Sequence, residues 1–198
     1  YRELFAELGI GPGDLRTADD LTALPILDKE TVRADPQRFL PEPRMRGGLV
    51  AQTTGGTTGT PLRYWATREA VQFNYAVYES RARRWAGVRL GDRLASFHGQ
   101  PIVPADDRSG RYWRRNLAFN QVYFSVYHLN DRNLPAYAEE LERFAPAVIA
   151  GYTAAVHRVA THILAVGDVG RVKPTAVMVS SETLLPDARR DIEEAFGC

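Results

Sequence analysis

The chain has 198 residues, enough for one sizeable core or two modest lobes, and 44% of them are hydrophobic and 25% charged, as in a globular fold. No apolar run approaches the roughly 20 residues that span a bilayer, and no basic-plus-apolar leader is visible after Tyr1. The single cysteine, Cys198, excludes an intrachain disulfide and a cysteine-based zinc site and agrees with a cytoplasmic location.

The net charge of +1 hides an asymmetry, because between Arg44 and Arg132 basic side chains outnumber acidic ones 14 to 6. Nearly all are arginines; Lys29 and Lys173 are the only lysines. Such a region attracts polyanions. The cations do not interleave with aromatics in an RRM, KH or zinc-finger pattern, so nucleic acid is not the expected partner.

In chain order, Tyr1 to Leu8 reads as a short amphipathic helix stopped at Gly9. Thr17 and Asp20 have capping-box spacing ahead of Leu21. Asp28 is placed to cap a helix over Lys29 to Ala34, which Pro36 ends. The apolar connector Ala23 to Leu27 is expected to lie across the core. None of this contains a catalytic cluster.

From Thr53 to Thr60 every position is threonine or glycine: Thr53, Thr54, Gly55, Gly56, Thr57, Thr58, Gly59, Thr60. Apolar Leu49-Val50 precedes the run, and Pro61 and strand-like Leu62 to Trp65 follow it. Glycine lets backbone approach a ligand closely, successive N–H groups in such a turn cradle an anion, and threonine adds hydroxyl donors. A plain hairpin loop is the competing reading, but a flexible linker has no use for stiff β-branched threonine. The run matches neither the P-loop nor the dinucleotide fingerprint.

Beyond the loop, Thr67 caps a helix expected to reach Ala86, with Val71, Tyr75, Tyr78, Ala82 and Trp85 on one face. Arg81, Arg83 and Arg84 lie off that stripe, either as a solvated basic surface or as contacts for phosphates. Arg93 to His98 is a strand; residues 101–116 read as an exposed polar excursion; Asn120 to Tyr127 is β-rich. Leu134, Tyr137, Leu141 and Phe144 share a helical face. Strand 147–150, helix 153–166, strand 175–179 and helix 186–196 then alternate. This order argues an α/β fold in which helices cover a mostly parallel sheet on both faces. Ligands then bind beyond the strand carboxyl ends, in the turns after residues 98, 150 and 179.

Ser180, Ser181, Glu182 and Thr183 follow an apolar strand; their structural reading is a helix-capping turn. His98 suits a buried structural imidazole hydrogen-bonded to backbone. His157 and His162, five apart on one helix, are poorly placed for one metal ion, and no metal site is expected. No G-x-S-x-G elbow exists, and Asp19-Asp20 and Asp106-Asp107 read as turn and cap residues.

Thr53 to Pro61 resembles the phosphate loop of the adenylate-forming (AMP-binding) enzymes. Tyr1 to Phe5, Leu24 to Lys29, Tyr127-His128-Leu129, Gly151-Tyr152 and Ser180 to Leu184 are similar to the phenylacetate–coenzyme A ligase and CapK-like branch. The resemblance implies part of a large N-terminal domain, with 1–48 a helical connector segment and 49–198 an incomplete AMP-binding domain. Thr53 to Thr60 would hold ATP phosphates, Ser180 to Thr183 would lie on the adenine side, and Tyr127, His128, Tyr152 and Thr153 would line the acyl pocket. Structural work remains an equal reading of His128.

The implied reaction activates a carboxylic acid as acyl-AMP, with ATP, Mg²⁺ and coenzyme A. Transfer to a carrier protein or amine in polysaccharide or secondary-metabolite synthesis, and a non-catalytic scaffold, stand as alternatives. The expected partners are a small-molecule carboxylic acid and the remainder of the same chain, with homodimerisation left open. No complete catalytic set is expected within this stretch, since the Tyr-Gly-x-Thr-Glu segment, the ribose-binding aspartate and the mobile domain with its lysine are not in it. One departure is internal: Leu62-Arg63 follows Pro61 where many relatives have lysine.

Overall fold

The computed structural model describes residues 2–40, 48–54 and 62–198. It forms two compact units, Tyr1–Val71 and Gln72–Cys198. The threonine hairpin therefore belongs to the first unit, beyond the boundary expected at residue 48.

The first unit is built from local interactions. Helix α1, Arg2–Leu8, ends where Gly9 turns into the left-handed region at φ +66. Helix α2, Lys29–Ala34, starts where the Asp28 carboxylate accepts the Thr31 N–H at 2.7 Å. The capping box at Thr17 forms by half: Asp20 accepts the N–H groups of Arg16 and Thr17, and the short 3₁₀ turn Asp19–Ala23 carries no side-chain cap. Strands β1, Leu49–Thr53, and β2, Arg63–Thr67, pair antiparallel, with Leu49 opposite Thr67 and Thr53 opposite Arg63. No described residue of this unit is buried. The connector expected to cross the core does not, and Ile26 is 96% exposed.

Helix α3, Arg68–Val77, is capped by Thr67, whose Oγ1 accepts the Ala70 N–H at 3.1 Å. It runs into a π-helical stretch, Tyr78–Arg83, held by an Arg83–Glu79 ion pair at 3.1 Å and by the Arg83 guanidinium over the Tyr78 ring. A π turn changes the residue spacing and rotates every later side chain about the axis. The stripe expected from a 3.6-residue period therefore does not continue to Trp85, which is 92% exposed; Tyr75, ahead of the π stretch, is 70% exposed as well.

The second unit holds a five-stranded sheet. Strands β3 (Leu94–Phe97), β4 (Trp113–Asn116), β5 (Gln121–Phe124), β6 (Val148–Tyr152) and β7 (Ala176–Ser180) lie in the order β4-β5-β3-β6-β7. Only the edge strand β4 runs antiparallel. Helices α4 (Leu134–Phe144), α5 (Thr153–Val166) and α6 (Pro186–Phe196) cover one face through a cluster that includes Phe97, Phe124, Tyr137, Leu141, Ile149, Val156 and Phe196. The opposite face carries a small cluster of Val88, Leu94, Val148 and Ala150. Helical cover on both faces was the expectation; among the described residues the main core lies on one face. The sheet itself is the mostly parallel one that alternating strands and helices require.

Residues 101–116 are not the exposed excursion their polarity suggests. Val103, Tyr112 and Trp113 are buried, and the last four residues of the stretch form β4. Arginines, aspartates and prolines make up half the sequence there, while its few apolar side chains find the core by long-range packing. Asn120 turns the chain from β4 into β5 in the left-handed conformation at φ 52, which asparagine tolerates, and its Nδ2 donates to the Gly91 carbonyl.

Candidate functional site

Because β5, β3, β6 and β7 are parallel, Ser125, His98, Thr153 and Ser181 all follow carboxyl ends on one edge of the sheet. The β3 turn is gripped from two sides. Tyr127 donates its hydroxyl to the Gly99 carbonyl at 2.9 Å. Tyr152 places its ring edge-on to His98, centroids 5.8 Å apart, and a Cβ on Gly99 would stand 2.8 Å from the Tyr152 hydroxyl oxygen. A side chain at position 99 would force that tyrosine to shift. A step inward, a Cβ on Gly151 would meet the Phe97 carbonyl oxygen at 2.5 Å, so β3 and β6 approach each other more closely than a side chain permits.

His98 is half-buried, and its partner is a side chain where a backbone group was expected. Its Nδ1 is 2.8 Å from the Ser96 hydroxyl, and burial pushes its pKa below the ordinary 6.5, favouring the neutral ring. His128 parts company with its neighbour Tyr127. Its ring turns into the core and stacks on Tyr112 with centroids 4.7 Å apart, and its Nδ1 lies 2.8 Å from the Ser125 hydroxyl. Its Nε2 is buried with no partner among the described residues. Tyr137 completes this aromatic group: its hydroxyl donates to the Ser125 carbonyl at 2.7 Å, and burial, with Tyr112 adding to it, raises its pKa far above the ordinary phenol range.

The last two turns are joined. Tyr152 pairs with Ser180 in the register of β6 and β7. Beyond that pair, the Ala154 N–H donates to Glu182 Oε2 at 2.6 Å, and Thr153 donates its hydroxyl to the Glu182 carbonyl at 3.3 Å. Ser180, Ser181 and Thr183 remain exposed beside this contact. Thus Tyr127, Tyr152, Thr153 and Ser180 to Thr183 share one sheet edge.

In the first unit, Thr54 closes the neck of the hairpin. Its N–H donates to the Leu62 carbonyl at 2.9 Å, and its hydroxyl oxygen accepts the Leu62 N–H at 3.0 Å. Thr53 is exposed at the end of β1. Gly55, Gly56, Thr57, Thr58, Gly59 and Thr60 lie outside the described residues. Arg63, which stands near the position of the absent lysine, lays its guanidinium over the Trp65 ring at 5.4 Å.

Sequence reading missed Glu140. It occupies the buried face of α4 between Tyr137 and Leu141 and is only 2% exposed. Its Oε1 accepts from Arg115 Nη2 at 2.7 Å and its Oε2 from Arg143 Nη1 at 3.0 Å. A carboxylate three residues from Tyr137 and four from Phe144 on an apolar stripe was the available signal. His157 pairs with Asp191 across α5 and α6 at 2.8 Å, and that hydrogen bond holds the Asp191 carboxyl below its usual range. His162 lines a shallow groove between α4 and α5 with Pro135, Glu142 and Arg171, away from the strand ends. Among the described residues no three histidine, cysteine, aspartate or glutamate side chains converge on a metal position.

No family model matches the chain. Over its whole length it superposes on 42% of a 2-hydroxyisobutyryl-CoA ligase in complex with 2-HIB-AMP and CoA, with a TM-score of 0.56 and 19% identity. An open conformation of the same ligase gives 0.55 at 17% identity, over 46% of that chain. The shared architecture is an α/β fold with helices packed on a mostly parallel sheet.

The chain's likeness to known proteins is one of sequence as well as fold. In sequence it is related to protein CapK of Staphylococcus aureus, with 30% identity across all 198 residues and 43% of CapK covered. It spans less than half the length of these relatives.

Proposed function

We propose that this chain supplies the phosphate loop and a substrate-side wall of an ATP-dependent enzyme that activates a carboxylic acid as acyl-AMP and passes the acyl group to coenzyme A. The observation that carries the reading is the uninterrupted threonine and glycine run from Thr53 to Thr60, mounted on a hairpin whose neck Thr54 closes. With its oxygen accepting from Leu62, the Thr54 hydroxyl keeps its own proton free to donate, as a phosphate oxygen requires.

Adenylation asks the protein for no nucleophile, since the substrate carboxylate attacks the α-phosphate. Catalysis then consists of in-line positioning and of donors aimed at developing charge. Thr53 to Thr60 hold the pyrophosphate side. Ser180, Ser181 and Thr183 offer hydroxyls on the adenine side, while Tyr127, Tyr152 and Thr153 form the acyl wall, with His128 backing it from the core. Bound with ATP, Mg²⁺ would offset the phosphate charge that Thr53 to Thr60 hold from the protein side.

ATP–pyrophosphate exchange by the full-length protein, across aryl and fatty acids, tests the reading. Acid-dependent exchange is expected. Its absence with every acid overturns the assignment, and formation of an acyl-carrier or amide product in place of a thioester reassigns the acceptor.

A further inference from the structure

Helix α5 begins without a local cap. Tyr152 stands at the N-cap position, and its side chain makes no capping bond. The first N–H groups of a helix have no partner within it, and they form its positive end. Here Glu182, 28 residues further along, reaches back with a carboxylate oxygen 2.6 Å from the Ala154 nitrogen. The same residue accepts the Thr153 hydroxyl through its backbone carbonyl. Ser181, just before it, holds a left-handed backbone at φ +69, which side-chain-bearing residues rarely adopt without support from their surroundings.

We propose that Glu182 is a positioning residue: it clamps the β7–α6 turn to the N-terminus of α5 and so sets Tyr152, Ser180, Ser181 and Thr183 as one wall. Three contacts at successive levels define the clamp. The Tyr152–Ser180 backbone pair brings the strand ends together, the Thr153 hydroxyl fastens the turn backbone, and the carboxylate completes the helix cap. Glu182 therefore acts through α5 and is not a free base. Its hydroxyl neighbours are the groups of this turn left to meet a ligand. The consequence for substrate binding rests on the function proposed above; the clamp itself does not.

The test compares Glu182→Gln, Glu182→Ala and Glu182→Asp in the full-length protein. Glutamine retains an oxygen of the right reach, alanine removes it, and aspartate is one methylene short. Hydrogen exchange of the Ala154 amide is expected to accelerate about tenfold in the alanine and aspartate variants and to stay within about threefold of wild type in the glutamine variant. In ATP–pyrophosphate exchange, KM for ATP is expected to rise about tenfold in Glu182→Ala with kcat within about twofold, and Glu182→Gln is expected to restore it. Unchanged exchange at Ala154 in both shortened variants overturns the clamp. So does a glutamine variant whose KM is as impaired as that of alanine, since the charge would then be meeting the ligand directly. If alanine prevents folding, the aspartate and glutamine pair decides the same question. A wild-type protein inactive with every acid counts against the proposed function, while the Ala154 amide still decides the clamp.

Discussion

The two units of this molecule are ordered by different means. In the first, caps, 3₁₀ turns and one hairpin satisfy the backbone locally, and Leu21, Ile26 and Leu27 remain exposed. In the second, residues far apart in sequence exclude water together. Phe97 stacks on Phe124 with centroids 4.6 Å apart, and both pack with Tyr137 on α4. Backbone hydrogen bonds exchange with water at little net gain, whereas each fully buried large apolar side chain contributes about 1.5–3 kcal/mol. Apolar side chains thus yield stability in the second unit and surface in the first.

The sharpest test of this contrast pairs Phe97→Ala with Ile26→Ala. The first is expected to lower unfolding stability by about 3–5 kcal/mol, and the second, at a 96% exposed residue, by less than about 0.5 kcal/mol. Urea denaturation measures both. Comparable losses would show that Ile26 belongs to a core after all.

A smaller effect is expected at the edge of the second unit. Arg115→Ala removes the guanidinium from Glu140 Oε1 and leaves that buried oxygen unpaired, while Arg143 still serves the other. The expected loss is about 2–3 kcal/mol. Removing both partners by pairing Arg115→Met with Glu140→Leu is expected to recover most of it. Failure to recover would mean that the carboxylate does more than balance charge.

The smallest effect is a pH dependence at His98. Its pKa in the folded protein lies below the ordinary 6.5, so the unfolded chain binds the proton first as pH falls. Stability from the neutral ring is complete above pH 6.5 and declines below it, down to the folded pKa. His98→Asn is expected to flatten this part of the stability–pH curve. An unchanged slope, measured by urea midpoints on either side of pH 6.5, would transfer the effect to another group.

Much of the second unit was legible in its sequence. The stripe Leu134, Tyr137, Leu141, Phe144 became the buried face of α4, and the apolar runs before Gly151 and Ser180 became parallel strands. Asp28 and Thr67 cap the helices their spacing indicated. Periodicity failed where geometry departs from a single period, as in the π stretch after Val77. It also failed where isolated apolar residues in polar surroundings, such as Val103 and Tyr112, reach a distant core. Of the candidate site, the strand-end turns were legible as places. The ties between them were not, because Glu182 and Ala154 are 28 residues apart and no local pattern links a carboxylate to a distant helix start.

The sequence alone determined the alternation of strands and helices, the helix starts, and the threonine and glycine composition of the loop, since these follow from each residue's own backbone preferences and polarity. Tertiary structure alone decided that Tyr127 and His128 face opposite ways, that Gly99 makes room for Tyr152, and that Glu182 caps α5. Each of those outcomes depends on the distance between atoms that chain order leaves far apart, and only the packed sheet brings them within reach of a hydrogen bond.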